Sequence, residues 1–316
     1  SQPGKLWIGT EKGLNRYDGY NFKNYSHNIL DTNSLSDDYI IRLCEDHEGN
    51  IWIGTMYGGL NKYDHCSDVF THYPKYQDDP YNLSRSCIAA ICVLRSGKIW
   101  YSTHGPDIET LFEIDTKTEK ISCIAYDKEN QNIPYHIHSH AICQSKDGKI
   151  WSASHEGLLK YDSIARDFTK YRYNPDDPYS ISSDVVTAIY EDNNGILWVG
   201  TWINWLEDKT QVGGLNQLDR NTDRFIRYLH EPGNPNSLSS TSGISAITED
   251  NDGHLMVRTT KSVEFLDKHT GQFTRWKYNS RGILGDTYYV ISSLYCDKSG
   301  ILWFGVPQNS DVQAGI

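Results

Sequence analysis

Three groups of residues in this sequence could do chemistry. The first is the segment Trp202-Ile-Asn-Trp205-Leu-Glu-Asp-Lys-Thr-Gln-Val212, where two indoles stand among amides, carboxylates and an ammonium. Indole faces stack on sugar rings and the polar groups hydrogen-bond hydroxyls, so Trp202, Asn204 and Trp205 have the makings of a carbohydrate-binding surface. The same loop could instead pack on its own scaffold or against another domain, and all three readings stand. The second group is His136, His138 and His140, whose alternation lets one face of a strand carry all three. Zinc would accept imidazoles so placed, but no carboxylate or cysteine with ligand spacing accompanies them, and no metal is assigned. The third is Arg258, inside the apolar stretch Leu255-Met-Val-Arg-Thr259. A guanidinium there has to find a carboxylate or carbonyls in a structural pair, or else it anchors an anion such as an acidic sugar.

Nothing else in the chain has the pattern of a reaction centre. There is no GxSxG, HExxH or P-loop motif, and the twelve arginines are scattered. Catalytic residues and cofactors are therefore expected to be none. With 30 Lys and Arg against 41 Asp and Glu, the formal charge is −11, which suits no direct contact with nucleic acid. The longest apolar run, near Cys87–Leu94, falls far short of the ~20 residues a membrane helix needs, and no signal peptide is evident. Seven cysteines without a CxxC indicate neither a zinc ribbon nor a redox pair. Cys44, Cys92, Cys143 and Cys296 fall near one recurring position, as small buried apolar side chains would.

The elements that position these residues come from a repeat. Lys5-Leu-Trp-Ile-Gly-Thr10, Asn50-Ile-Trp-Ile-Gly-Thr55, Lys98-Ile-Trp-Tyr-Ser-Thr103 and Lys149-Ile-Trp-Ser-Ala-Ser154 are the first four copies. Ile196-Leu-Trp-Val-Gly-Thr201, His254-Leu-Met-Val-Arg-Thr259 and Ile301-Leu-Trp-Phe-Gly-Val306 complete the series. The anchors Trp7, Trp52, Trp100, Trp151, Trp198, Met256 and Trp303 are 45, 48, 51, 47, 58 and 47 residues apart. Each has a glycine three residues before it, as a hairpin turn with positive φ requires. A second short segment ending in Asp follows each of the first six anchors, as in Leu14-Asn-Arg-Tyr-Asp18, then a third, as in Phe22/Tyr25, and a fourth leads into the next glycine turn. Four short strands every 45–50 residues predict an all-β fold, a seven-bladed β-propeller of four-stranded antiparallel blades filling residues 1–316 as a single domain. With strands lettered A to D outward and the Trp on B, the chain starts on B of the first blade. It breaks off where C of the seventh should begin, so the first and last blades are expected to be incomplete.

Length variation separates scaffold from decoration. From the strand-D anchor to the next B anchor the distance is 30 residues in five cases and 31 in the sixth. The variation sits in the B–C loops, which are longest in blades three, five and seven. In a propeller the B–C and D–A loops share one face, and loops on a rigid scaffold concentrate binding residues. On that face are expected Trp202, Asn204 and Trp205 of blade five, and His104 and Asp107 of blade three. Tyr57, His155 and Lys261 occupy the equivalent loops of blades two, four and six.

The pattern Asp-x-x-Gly-x-[Ile/Leu]-Trp-[Ile/Val]-Gly-Thr, then Gly-Leu-Asn-x-[Tyr/Leu]-Asp, then Phe-x-x-Tyr, resembles the two-component regulator propeller repeat over essentially the whole chain. The opening Gly13-Leu-Asn-Arg-Tyr-Asp-Gly-Tyr-Asn-Phe22 is similar to the first repeat of the sensor half of hybrid two-component systems of gut and environmental Bacteroidetes. The resemblance implies two propellers and a small sandwich domain outside the inner membrane, with a histidine kinase, a receiver and a DNA-binding domain inside. This chain would then be the N-terminal propeller, facing the periplasm, in a full-length protein that is a homodimer. Its signals would be oligosaccharides, and its output the control of polysaccharide-utilisation genes. Blade six departs from the pattern at Met256 and Arg258.

Two other classes of function remain open. The Asp-x-x-Gly-x-x-Trp turns resemble the Asp-boxes of sialidases, but a glycosidase of that kind needs an arginine cluster, a tyrosine nucleophile and an acid, which cannot be assembled here. A lyase using Tyr and His is the other enzymatic reading. A propeller serving only protein–protein interaction or dimerisation is the non-enzymatic alternative.

Overall fold

The computed structural model describes residues 5–74, 82–104, 110–124, 139–203, 210–259, 262–275, 293–297 and 299–305. Among them the regular structure is β-strand apart from a single 3-10 turn at Leu83–Arg85. Strands β1 (Leu6–Thr10), β2 (Gly13–Tyr17) and β3 (Phe22–Tyr25) form the first sheet. The second contains β4 (Ile40–Glu45), β5 (Ile51–Thr55), β6 (Leu60–Asp64) and β7 (Val69–Tyr73). The third contains β8 (Cys87–Val93), β9 (Ile99–His104), β10 (Leu111–Ile114) and β11 (Ile121–Cys123). The fourth is β12 (Ser139–Gln144), β13 (Ile150–Ser154), β14 (Gly157–Asp162) and β15 (Asp167–Tyr171). The fifth is β16 (Val185–Glu191), β17 (Leu197–Trp202), β18 (Gly214–Asp219) and β19 (Arg224–Tyr228). The sixth is β20 (Ile244–Glu249), β21 (Leu255–Thr259), β22 (Val263–Asp267) and β23 (Gln272–Arg275), and the seventh is β24 (Ser293–Cys296) with β25 (Leu302–Gly305). In every sheet, strands adjacent in sequence are adjacent in space. Among the described residues these are the seven blade sheets of an all-β propeller fold, the first with three strands and the seventh with two.

The repeat's residue types explain the blade. The glycine before each B strand has positive φ wherever it is described: 85° at Gly49, 85° at Gly97, 90° at Gly148, 80° at Gly195, 84° at Gly253 and 83° at Gly300. An L side chain resists that conformation, so the A–B hairpin turn falls at the same place in each repeat. The A strands also share a bulge, between Ile40 and Arg42, Ile88 and Ala90, Val186 and Ala188, and Ile244 and Ala246. Bulges of this kind bend and twist the strand.

The residue contacts divide into two compact units, residues 1–144 and 145–316, each described here by itself. In the first, Trp52 is fully buried with Leu60, Tyr73, Leu83, Ile88, Ile99, Tyr101, Phe112 and Ile114, so the anchor indole lies between the second and third sheets. In the second, Trp198 packs with Leu215, Leu238, Ile244, Leu255, Val257, Leu266 and Phe273 of the fifth and sixth. Close approach of the blades depends on the glycine two residues after the anchor. A Cβ on Gly54 would stand 2.7 Å from the Ile88 side chain, and one on Gly200 would stand 2.9 Å from that of Ile244.

At the A–B and C–D end, ion pairs tie neighbouring blades of the second unit. Arg220 reaches Asp147 at 3.2 Å and Glu191 at 2.6 Å, while Lys268 reaches Asp192 at 3.0 Å and Glu249 at 2.6 Å. Glu191 and Glu249 also accept the backbone N–H groups of Lys146 and Asn193 from the preceding blade. The acid at the end of the A strand thus links one blade to the turn before it.

Candidate functional site

The other end of each blade, where B turns to C and D returns to A, is where the candidate residues lie. Its foundation is the D–A segment, whose constant length reflects a built cap. Leu35, Leu83, Ile181 and Leu238 recur thirteen residues after the strand-D anchor, and all four are buried. Around Leu35 the Ser34 hydroxyl donates to the Asn28 and Asp31 carbonyls, and His27 Nδ1 donates to the Leu35 carbonyl at 2.6 Å. Ser237 and His230 repeat the arrangement around Leu238.

Three of these caps, those of Leu35, Ile181 and Leu238, are pinned from inside the blade by the third residue of the Gly-Leu-Asn motif; at Leu83 the position is Phe112. Asn61 Oδ1 accepts the Ser36 N–H at 3.0 Å and its amide donates to Ser36 Oγ at 2.7 Å. Asn216 does the same for Ser182, at 3.0 and 3.2 Å. In the sixth sheet Glu264 takes this place. Fully buried, it accepts the Ser239 N–H, the Ser239 hydroxyl and, at 2.7 Å, the Ser262 hydroxyl. The sequence reading missed this device, although Asn33-Ser-Leu-Ser36 and Asn236-Ser-Leu-Ser239 carry its signal.

On this footing the B strands deliver their last residues. In the first unit Tyr57 follows β5, two-thirds exposed at 66%, with its backbone N–H held by Asp37. His104 is the last residue of β9 and is half-buried. In the second unit His155 stands exposed in the turn between β13 and β14. Trp202 ends β17 half-buried, paired through its backbone with Gly243, and Ile203 donates to the Ser242 carbonyl. A Cβ on Gly243 would lie 3.1 Å from the Trp202 ring, so this indole packs on the D–A segment before β20. Local packing therefore accounts for at least part of its role. Asn204, Trp205, Asp107 and Lys261 lie outside the described residues, as do His136 and His138, while His140 is on β12.

Arg258 is on β21, one residue before the strand ends, directly opposite Val263 and on the same face as Met256. That face packs against the seventh sheet, where Leu294 and Cys296 meet Met256 and Val263. The expected structural pair is not found: among the described residues the guanidinium has no hydrogen-bond or ion-pair partner, and its Nε is shut off from solvent. Burial pushes its pKa below the usual arginine range.

The thiols at the repeated position are free and half-buried, so the expectation of buried apolar side chains holds only in part. Cys44, Cys92 and Cys143 stand eight residues before their anchors, and Cys296 stands seven before its own. Burial raises the Cys44 thiol and pushes Cys92 up to about 12, which makes them poor nucleophiles. Two turn clusters bring ligand-type atoms within 4.8 Å of one another, Asp64 with His65 and Cys66, and Asp250 with Asp252 and His254. Both are on the A–B and C–D side, away from the B–C loops. In each the aspartate already accepts backbone N–H groups of its own turn.

Comparison with known proteins agrees with this geometry. The family model described as "Two component regulator propeller" matches residues 34–57 and 180–202, each running from a D–A cap through the next B strand. No curated protein sequence matches the chain. Among solved structures, the extracellular domain described as that of the hybrid two component system BT3049 from B. thetaiotaomicron superposes with a TM-score of 0.74 at 22% identity. The match covers 96% of this chain and 37% of that one, so the chain spans little more than a third of its length. PorZ, a surface component of the type-IX secretion system of Porphyromonas gingivalis, gives 0.70 at 15% identity, covering 96% of this chain and 44% of that one. Virginiamycin B lyase from Staphylococcus aureus gives 0.68 at 13%, covering 97% and 89%. At these identities the structures share the fold alone, while residues 34–57 and 180–202 each carry the two-component regulator propeller repeat.

Proposed function

We propose that the chain is an extracytoplasmic sensor propeller of a hybrid two-component histidine kinase, and that its B–C and D–A end takes up an oligosaccharide. The carrying observation is the cap. Buried Asn61, Asn216 and Glu264 clamp the D–A segments of the second, fifth and sixth sheets, so the strand ends bearing Tyr57, Trp202 and Arg258 rise from rigid ground. His104 and His155 stand at the ends of the equivalent strands of the third and fourth. Preorganised aromatic and polar groups suit sugars, whose hydroxyls and apolar faces both need partners. The repeat family and the likeness to a hybrid-system extracellular domain support the sensor role. In this reading Asp107 belongs to the B–C end of the first unit and Asn204, Trp205 and Lys261 to that of the second, a second propeller and a sandwich domain follow, and the full-length protein dimerises in the inner membrane. The kinase lies inside the cell and controls polysaccharide-utilisation genes, while the propeller itself turns nothing over.

Several contacts of roughly 1–2 kcal/mol each would give micromolar affinity. The test is calorimetry of the complete ectodomain against a panel of neutral and acidic oligosaccharides, with Tyr57→Ala and Trp202→Ala alongside and small-angle scattering on each. Loss of sugar binding with unchanged shape and melting supports direct contact. Unchanged binding with an altered scattering profile makes the surface a docking face for the other domains. An ectodomain that binds no oligosaccharide overturns the reading.

A further inference from the structure

Two residues past the anchor, the repeat has Gly9, Gly54, Ser102, Ala153, Gly200 and Gly305, and in the sixth copy alone Arg258. The position is small for a stated reason: beside Gly54 and Gly200 the next sheet's isoleucine stands where a Cβ would go. A guanidinium on a three-carbon stem is a large departure. It emerges on the face that meets the seventh sheet, flanked by Met256 and Val263, close to the B–C loop.

A half-buried guanidinium whose Nε is closed off without a partner is unfavourable, and a blade gains nothing from it that glycine would not supply. Neighbouring charged groups do not compensate it. Glu264 projects from the other face of β22, opposite Val257, and is saturated by Ser239 and Ser262. What remains is a planar fork of donors near the sugar-facing end, with Nε shut off from water and unsatisfied among the described residues. Carboxylates and sulfates match that fork in a bidentate fashion.

We propose that Arg258 is an anion-binding site beside the seventh sheet, and that the oligosaccharide taken by this end of the propeller carries a carboxylate or sulfate that it holds. The sugar half of this inference rests on the sensor reading above; the anion half does not.

The test uses this chain in wild-type, Arg258→Gln and Arg258→Lys forms. Melting is followed as sodium sulfate or sodium glucuronate is added, against sodium chloride at equal ionic strength. Calorimetry then compares uronate and sulfated oligosaccharides with their neutral counterparts. Wild type should gain melting temperature with sulfate and glucuronate beyond chloride, and should prefer an acidic sugar by about ten- to a hundredfold, the worth of a charged hydrogen-bonded pair. The Gln variant should keep only the general salting effect of sulfate, gain less from sulfate and glucuronate than wild type, and lose the preference for acidic sugars. It should melt no lower than wild type without added anion, because a half-buried guanidinium with no partner among the described residues has gone. The Lys variant should keep part of the response. A Gln variant that melts lower and responds to anions as wild type does makes Arg258 a structural partner and overturns the proposal. So does a wild type that treats sulfate and glucuronate like chloride. Response to the simple anions without preference for acidic sugars overturns the sugar half and assigns the site to a free anion or an acidic protein segment. Binding of neutral sugars alone leaves the sensor reading standing while this inference falls.

Discussion

The fifth and sixth sheets share a backbone plan, yet the sixth replaces three of its defining side chains. In the fifth, Trp198 donates its indole N–H to Asp192 at 3.0 Å, Gly200 lets Ile244 approach, and Asn216 clamps the cap. In the sixth, Met256 has no N–H to give, Arg258 stands in the glycine's place and Glu264 in the asparagine's. The turn aspartate is nevertheless satisfied, because His254 fills the gap with an Nδ1 contact to Asp250 at 2.9 Å. Packing tolerates the change, since Met256 is as fully buried as Trp198 and a flexible thioether fills an indole's space. The comparison teaches which parts of the repeat are structural. Anchor and clamp can change chemistry when a neighbour compensates, whereas Arg258 has no compensating neighbour among the described residues.

The sharpest way to break the comparison is at the ion pairs that end the two sheets. Lys268 of the sixth neutralises Asp192 and Glu249, whose side chains are 0% and 1% exposed. Lys268→Ala leaves two buried carboxylates facing each other's field and should cost about 3–5 kcal/mol, read from the urea midpoint. Arg220 of the fifth has one wet partner, Asp147 at 34% exposure, so Arg220→Ala should cost only about 1–2 kcal/mol. The pH dependence should separate them further. In the wild type, burial acts to raise Asp192, but the Trp198 indole, the Ile196 N–H and Lys268 together hold it below the usual carboxylate range. Its stabilisation is present above the unfolded carboxylate range and lost as pH falls through the lower folded value. Without Lys268 the burial effect gains ground, so the deficit of the variant should shrink on acidification. A deficit that is flat between neutral pH and the acid transition would refute this account.

A smaller contrast is expected at the clamps. Asn216 makes hydrogen bonds to Ser182 and to the Val199 carbonyl from a fully buried position. Asn216→Ala should cost about 2–3 kcal/mol, because it strands buried donors and acceptors of the cap. Glu264→Gln keeps the shape and one acceptor oxygen, and the two serine hydroxyls can turn to accept, so about 1 kcal/mol or less is expected. Hydrogen exchange of the amides at 180–184 and 237–240 would show whether each loss is local to its cap. Equal costs in the two sheets would mean that the charge on Glu264 matters and that the two clamps are not equivalent.

These contrasts also show what the sequence could disclose. The anchors, the turn glycines and the order of strands were legible because each obeys a rule within a few residues, such as positive φ at Gly195 three places before Trp198. The clamp was not, because Asn61 and Asn216 meet serines 25 and 34 residues away. The constant 30-residue interval announced a built segment, yet it reads equally well as bare scaffold. Lys268 and Asp192 are 76 residues apart, and only the packing of blade on blade brings them together. At the candidate surface the strand-end residues Tyr57, His104, His155 and Trp202 could be placed in register from the repeat. The packing of Trp202 on Gly243 could not, since it depends on the path of the next D–A segment.

The smallest effect is the one that tests the substitution of Trp by Met most directly. If His254 stands in for the missing indole donor, its contribution must depend on its own charge. The hydrogen bond to Asp250, and then the charge of that carboxylate, raise the His254 pKa above the ordinary histidine value. A raised folded value means stabilisation that is complete below about 6.5, the unfolded value, and lost as pH rises through the folded one. The side chain is 60% exposed, so solvent screening limits the gain to a few tenths of a kcal/mol, about 0.3–0.5 at low salt. The difference in stability between wild type and His254→Ala should therefore be largest near pH 5–6 and shrink toward a small residue above about pH 8. It should also shrink with added salt. Met256→Trp supplies the competing donor, so in that background His254→Ala should cost less at every pH. A pH-independent cost for His254→Ala, the same with Met256 or Trp at the anchor, would mean that the imidazole merely fills space and that Asp250 has no need of a partner.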